Sequence, residues 1–207
     1  MNNMLSKALR EFMTGSLKQL IVNLGGEDGD RWEEELKRFN RKEPCWVKET
    51  MVWKTWKTIK LGTGLKTADD FRKAFKASGN RIGDYANDIL GKPAFSAAAK
   101  ESELELVKVS VKELGFKNGA TRQEIYQRAQ ELGLKICPNE VGPQLRLQYE
   151  NQPNGEWVLV AMEPISDSDG YLLLFHVTHD DGGQWLGSYC GGPDDVWDAD
   201  HVFVFCK

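Results

Sequence analysis

The side chains best suited to chemistry lie in the C-terminal half of the chain, where polar residues alternate with apolar ones. Five of them are candidates for binding a ligand: Gln144, Arg146, Gln148, His176 and His201. Arg146 is the only lysine or arginine between Lys135 and Lys207. Because an unpaired buried charge is costly, we expect it either to pair with a carboxylate such as Glu156 or Glu163 or to hold an anionic ligand.

Histidines exchange protons near neutral pH, so they can serve as general acids or bases beside a carboxylate. One hypothesis is therefore a small, metal-independent hydrolase or transferase that uses His176, His201 and Arg146 together with an aspartate. The alternative is that each histidine is structural. No serine or cysteine lies in a recognisable nucleophile elbow, so no catalytic residue is assigned.

A second group of candidates is basic and lies between residues 54 and 81, where cations are interleaved with aromatic residues. Its members are Lys54, Lys57, Lys60, Arg72, Lys73, Lys76 and Arg81. Residues 31–100 contain 16 Lys and Arg against 9 Asp and Glu, whereas residues 101–207 contain 8 against 18. Aromatic rings can stack on bases while cations contact phosphates, although lysines also protect edge strands. This region predicts contact with nucleic acid or another acidic partner, unless the two halves simply attract each other.

Two loops resemble known ligand sites but lack essential parts. Gly62 and Gly64 are two residues apart, and Leu65 separates Gly64 from Lys66, so the loop cannot be a P-loop. The run from Asp167 to Gly170 begins like a calcium loop but lacks the later ligands. No cysteine pair or histidine has zinc-ligand spacing. We therefore predict no metal and no cofactor.

The elements that position these residues are predicted mostly as helices in the N-terminal half. Apolar spacing indicates helices over residues 4–24, 31–40, 68–78 and 82–90, the third of them capped by Thr67. A strand is predicted within residues 46–61. Residues 92–100 are small and polar, which favours a boundary between a mainly helical basic region, 1–95, and an α+β domain, 101–207.

The C-terminal half is predicted to contain two helices and an antiparallel sheet. Ser102 with Glu105 and Thr121 with Glu124 match capping boxes, although alternating valines from Val107 favour a strand weakly. A β-hairpin is predicted from residues 144–149 and 157–162, and further strands cover 171–178, 184–189 and 201–205. The predicted fold class is α+β, with a helical N-terminal half and a C-terminal antiparallel sheet that has helices packed on one face.

Residues 121–134 resemble the first helix and turn of a helix-turn-helix or winged-helix DNA-binding motif. The resemblance implies a recognition helix next, with Arg146 and Gln148 facing bases. Pro138, Pro143 and the alternation of residues 144–149 favour a strand instead. The acidic charge of this half also opposes phosphate contact. A winged-helix regulator is kept as an alternative.

The run of motifs from Leu61 to Phe205 resembles a group of small bacterial proteins of similar length with no assigned activity, which implies a cytoplasmic protein whose role is open. The four cysteines form no Cys-x-x-Cys pair, as is typical of reduced thiols. No apolar run is long enough to span a membrane. Residues 4–24 would form an amphipathic helix that either mediates homo-oligomerisation or packs on its own domain. The leading prediction is a non-catalytic binding or interaction protein.

Overall fold

The computed structural model describes residues 15–43 and 51–207, and the chain divides into two compact units, residues 1–49 and 50–207. The first unit contains helices α1 (Ser16–Leu24) and α2 (Gly29–Asn40). Helix α1 ends at the predicted residue, and residues 4–14 of the predicted amphipathic helix lie outside the described residues. So do residues 46–50 of the predicted strand.

The second unit contains a sheet, a short two-stranded ribbon and four helices. The helices are α3 (Ala68–Ser78), α4 (Asp84–Leu90), α5 (Arg122–Glu131) and α6 (Val141–Gln148). The strands are β1 (Lys57–Leu61), β2 (Arg81–Ile82), β3 (Ser102–Ser110), β4 (Ala120–Thr121), β5 (Trp157–Val160), β6 (Ile165–Ser166), β7 (Leu172–Asp180), β8 (Gly183–Cys190), β9 (Val196–Trp197) and β10 (Val202–Cys206). The sheet order is β1-β3-β10-β5-β7-β8-β2, with β6 beside β7, while β4 and β9 form the ribbon. Pairing is antiparallel except for β5 with β10 and β2 with β8.

Helices cover both faces of the sheet, rather than the one face that the sequence predicted. On one face, α6 contacts β1, β7 and β8, and Gly142 lies so close to Phe175 that a Cβ there would come within 2.6 Å of its ring. On the other face, Tyr126 of α5 meets Phe203 and Phe205 edge-on. The mixed α+β class is confirmed, but the helices are spread along the chain instead of being concentrated in its N-terminal half.

The compact units also divide at a different place from the predicted boundary. Strands β1 and β3 lie on either side of residues 92–100, and they pair in antiparallel register from Lys57–Leu106 to Leu61–Ser102. The described division falls between Glu49 and Thr50. A small, polar segment therefore connects two strands of one sheet.

The predicted helix that begins at Ser102 is wrong, because residues 102–110 form strand β3. The alternating valines favour a strand because β-branched side chains pack well on a sheet. Val107 and Val109 are both buried there. A capping-type exchange occurs eight residues later instead. The amide and hydroxyl of Ser110 both donate to Glu113 Oε2 at 2.7 Å, which shapes the turn after the strand.

The predicted strand over residues 144–149 is also wrong, because this segment is helix α6. Pro143 lies in the first turn, where a missing N–H is tolerated. The alternation misled because α6 is buried on nearly every side: Gln144, Leu145 and Arg146 are at most 1% exposed. The helical period of apolar residues is visible in a sequence only when one face of the helix is apolar and the other is polar. It is hidden in α6 because its polar residues are buried too. Strand β5 is present as predicted, but it pairs with β7 and β10 and not with residues 144–149.

Candidate functional site

The predicted polar row of Gln144, Arg146 and Gln148 is part of the protein's internal framework. The side-chain amide of Gln148 accepts from the Lys60 N–H and donates to the Lys60 carbonyl, both at 2.8 Å. Glu140 accepts from the Gly62 N–H at 2.9 Å, and Gln144 donates to the Thr63 hydroxyl at 2.8 Å. Side chains of α6 and the residue before it therefore occupy the outer edge of β1, where a further strand would otherwise pair.

Arg146 is fully buried, and its hydrogen-bond acceptors are uncharged. It donates to the carbonyl of Tyr149, the side-chain oxygen of Gln152, Gln184 Oε1 at 2.8 Å and the Thr178 carbonyl at 3.3 Å. Burial lowers the pKa of Arg146 to about 10. The expected ion pair with Glu156 or Glu163 is therefore wrong. Glu156 instead binds Lys108 and the Tyr149 hydroxyl, each at 2.7 Å.

His176 and His201 belong to an aromatic cluster on the sheet face opposite α6. Both rings contact Trp157, with centroid distances of 4.9 and 5.6 Å. Because Phe175 faces α6, the next residue, His176, points away from it. The structure therefore does not bring His176 together with Arg146, as the hydrolase hypothesis requires. Burial lowers the pKa of His176 to about 4.

The seven basic candidates lie on or beside three separate elements, β1, α3 and β2. Strands β1 and β2 stand at opposite ends of the sheet order. Several of the cations already have partners: Lys60 lies 2.9 Å from Glu101, and Arg72 lies 2.7 Å from Asp69. Lys57 and Arg81 lie over aromatic rings. In the part of the chain that the structure describes, the members with neither an ion pair nor a ring contact are Lys54, Lys73 and Lys76.

A concave feature of the second unit was not predicted from the sequence. It is a pocket of about 630 Å³ beside the open end of the β7–β8 hairpin, where β7 begins and β8 ends. Three tyrosines line it, Tyr85, Tyr171 and Tyr189, and we call it the tyrosine pocket. Leu173, Ser188 and Cys190 also contribute to its lining. The three residues are 63%, 68% and 53% exposed, which is unusual for large aromatic residues.

Helix α4 and the turn at residues 167–170 hold the tyrosine pocket in shape. Tyr85 lies on the first turn of α4, and Asp88 on the same helix accepts from the Ser168 amide at 2.7 Å and the Ser168 hydroxyl at 2.9 Å. These bonds lower the pKa of Asp88. Asp167 is buried and accepts from the Tyr171 amide at 2.8 Å, so the turn also positions that tyrosine.

The third tyrosine, Tyr189, is held from the opposite face of the sheet. Its ring meets Trp157 and Trp197 at centroid distances of 5.6 and 5.4 Å. Aromatic contacts of this length are typical of edge and tilted packing. Tyr189 pairs with Leu174 in the β7–β8 register, so its ring is fixed on the sheet face opposite α6, and the residue borders the pocket at the edge of the sheet.

The charged residues that line the tyrosine pocket are two aspartates, Asp167 and Asp195. Asp195 accepts from the Gly192 amide at 2.6 Å. A carboxylate has about four acceptor positions. The pocket therefore combines negative charge with the electron-rich faces of aromatic rings.

No family model, curated protein or solved structure matches this chain. Among the helices in residues 15–43 and 51–207, none has both the length and the apolar character that a membrane span requires. The same residues contain no cluster of three His, Cys, Asp or Glu side chains that would hold a metal ion.

Sequence reasoning identified only one part of the tyrosine pocket, the polar turn at residues 167–170, and treated it as a turn. The turn itself is present. The other parts come from residue 85 and residues 188–195, which are separated in sequence by about half the chain. A signal did exist in Tyr171 and Tyr189, which lie near the ends of predicted strands, but spacing alone does not show that their rings face solvent.

Proposed function

We propose that this protein is a binding protein and that the tyrosine pocket is its ligand site. The observation that carries the proposal is that three exposed tyrosine residues line one pocket of about 630 Å³. This volume lies within the range of roughly 300–1,000 Å³ that is usual for ligand sites. Exposed aromatic groups that gather in one place commonly mark a binding surface.

The chemistry of the lining favours a cationic ligand. An ammonium or guanidinium group over a tyrosine face gains about 0.5–1 kcal/mol at an exposed site. The carboxylates of Asp167 and Asp195 would also attract a cation. No lysine, arginine or histidine is among the lining residues. A ligand that carries a positive charge on an apolar stem would use both the rings and the carboxylates.

The nucleic-acid hypothesis remains a prediction from sequence, and it receives less support from the arrangement of the side chains. Groups that contact a phosphate backbone need to line one continuous surface. The basic candidates instead come from elements at both ends of the sheet order, and Lys60 and Arg72 already have acidic neighbours. Binding of an unstructured DNA oligonucleotide that weakens steeply with salt would restore this hypothesis.

Amide-resolved NMR with three matched probes tests the proposed function. The probes are the N-acetyl methylamides of lysine, norleucine and glutamate, which keep the same backbone while the side chain is cationic, neutral or anionic. We expect the lysine probe to shift the amides of Tyr85, Tyr171 and Ser188 at about millimolar concentration, as a small ligand with few contacts should. The neutral probe should act more weakly, and the anionic probe should have no effect.

A variant pair provides the control for this titration. Tyr85→Ala removes one ring from the pocket, whereas Phe39→Ala removes an aromatic residue that is 69% exposed in the first compact unit. Only the first substitution should reduce the response to the lysine probe. If all three probes act equally, or if the shifts map outside the pocket, the proposal is wrong.

A further inference from the structure

Strand β8 has an open edge beside the tyrosine pocket. On its outer side β8 pairs with β2, but β2 is only two residues long and reaches Trp185 and Leu186. The residues of β8 that follow, Gly187–Cys190, have no strand partner on that side among the described residues. Ser188 and Cys190 lie in this segment and also line the pocket.

The direction of the backbone groups follows from two hydrogen bonds. The Gly191 amide donates to the Leu172 carbonyl of β7 at 2.7 Å, whereas the Leu186 carbonyl accepts from Gly83, beyond β2, at 2.9 Å. Backbone groups alternate between the two edges of an antiparallel strand. Residues 187 and 189 therefore bond to β7, and the N–H and C=O groups of Ser188 and Cys190 point to the open edge.

At the opposite edge of the same sheet, side chains cover the outer backbone groups of strand β1. There the outward backbone groups of Lys60 and Gly62 are satisfied by Gln148 and Glu140. Proteins usually protect exposed edges with lysine, proline or a covering element. The segment Gly-Ser-Tyr-Cys at residues 187–190 has no charged residue and no proline, so its edge remains open to pairing.

Side chains of an added strand would reach the tyrosine pocket. Ser188 pairs with Phe175 and Cys190 pairs with Leu173, and cross-strand partners point to the same face of a sheet. Phe175 faces α6. A strand laid beside residues 188–190 would direct every second side chain to this face, where Tyr85 and Asp167 line the pocket.

We propose that the open edge of β8 binds an extended peptide by strand addition, with a lysine or arginine side chain of that peptide in the tyrosine pocket. The backbone of Ser188 and Cys190 supplies two donors and two acceptors for the ladder, and the rings and aspartates select the basic side chain. This inference rests on the proposed function, because it names the ligand class of the same pocket. In peptide recognition by strand addition, the main-chain hydrogen bonds supply affinity and the side-chain pockets supply specificity.

Hydrogen exchange at single amides tests the pairing directly. In the free protein, the amides of Ser188 and Cys190 should exchange quickly, and those of Gly187 and Tyr189 should exchange slowly. The probe is a capped peptide of about ten residues that alternates valine and lysine. At saturation it should slow exchange at Ser188 and Cys190 by about tenfold or more, because exchange then requires the added strand to open.

A second peptide separates the two proposals. It has the same sequence, with methyl groups on the backbone nitrogens of every second residue, so it keeps the lysine side chains but cannot form the ladder on one edge. Two such peptides are prepared, one methylated at the valines and one at the lysines. The peptide whose methylated edge faces β8 should bind at least about tenfold more weakly than the unmodified peptide. Ser188→Pro should have a similar effect on the unmodified peptide, because it removes one edge N–H.

Several results would overturn strand addition. Equal binding of methylated and unmodified peptides, with shifts confined to the pocket, would refute the ladder while leaving the tyrosine pocket as the ligand site. Absence of slowed exchange at about 1 mM peptide would refute it as well. Protection of Ser188 and Cys190 that grows with protein concentration alone would mean that a second copy of the chain occupies the edge. Failure of the lysine probe to shift any pocket residue would instead refute the proposed function.

Discussion

Replacing Arg146 by methionine tests whether this residue holds the interior of the second unit together. The substitution keeps an unbranched side chain of similar length but removes the donors to Tyr149, Gln152, Thr178 and Gln184. A buried acceptor that loses its partner costs about 1–3 kcal/mol. Two of the four are glutamine side chains that can turn to other donors, so we take the lower part of that range, about 6 kcal/mol in total.

Removing the buried charge offsets part of this loss. Burial lowers the pKa of Arg146 from 12.5 to about 10, and each pKa unit corresponds to about 1.4 kcal/mol, so the charged form is disfavoured by about 3 kcal/mol. Because the pKa in the folded protein is below that in the unfolded chain, this penalty is present at neutral pH and declines only above about pH 10. The net expectation for Arg146→Met is a loss of about 3 kcal/mol in the free energy of unfolding.

Urea unfolding followed by tryptophan fluorescence measures this change. Arg128→Met on α5 is the matched control, because Arg128 has a partly exposed side chain whose two polar contacts, with Glu131 and with the Leu114 carbonyl, are each 3.3 Å long. Its cost should stay below about 1 kcal/mol. A variant Arg146→Met that is as stable as the natural protein would refute the reasoning, since the four acceptors would then not depend on the guanidinium.

Three further predictions concern the β1 edge, the aromatic cluster and the thiols. Gln148→Ala should destabilise the second unit by about 1–2 kcal/mol and speed amide exchange at Lys60, whereas Gln130→Ala, at an exposed position of α5, should do neither. The pKa of His176 lies at about 4 in the folded protein, below its ordinary 6.5, so stability should fall as pH drops from about 6.5 to about 4, by up to about 3 kcal/mol. His176→Gln should flatten that dependence, and an unchanged pH profile would contradict it. Cys190 is exposed while the other two described cysteines, Cys137 and Cys206, are buried, so peptide mapping after brief alkylation should find Cys190 modified before those two, and equal modification of all three would contradict the fold.

Local signals predicted the elements whose ends depend on nearby residues. Helix α3 begins after Thr67, whose hydroxyl and amide exchange hydrogen bonds with Asp70, and ends at Gly79 with φ of 74°. Helix α5 begins with the predicted exchange between Thr121 and Glu124. Both caps involve residues within three positions of each other, which is why one sequence is enough to identify them.

Burial of polar residues caused the main errors. Periodicity reports which side of an element faces water, and α6 has almost no such side, because its polar side chains bond to the β1 edge and to the β7–β8 hairpin. The predicted hairpin was therefore wrong as well, because it required residues 144–149 to be a strand. The tyrosine pocket was missed for a related reason: Tyr85 reaches the end of β8 only through the chain topology, and no local spacing encodes that contact.

The most direct test of the central claim is the affinity of the tyrosine pocket for a basic side chain, measured by calorimetry with the alternating valine–lysine peptide. The natural protein is compared with the double variant Tyr85→Ala/Tyr171→Ala and with Phe39→Ala. We predict that loss of the two rings weakens binding by about tenfold, in line with about 0.5–1 kcal/mol for each cation–ring contact, and that Phe39→Ala leaves it unchanged. Equal affinity of all three proteins would contradict the claim that this pocket is the ligand site.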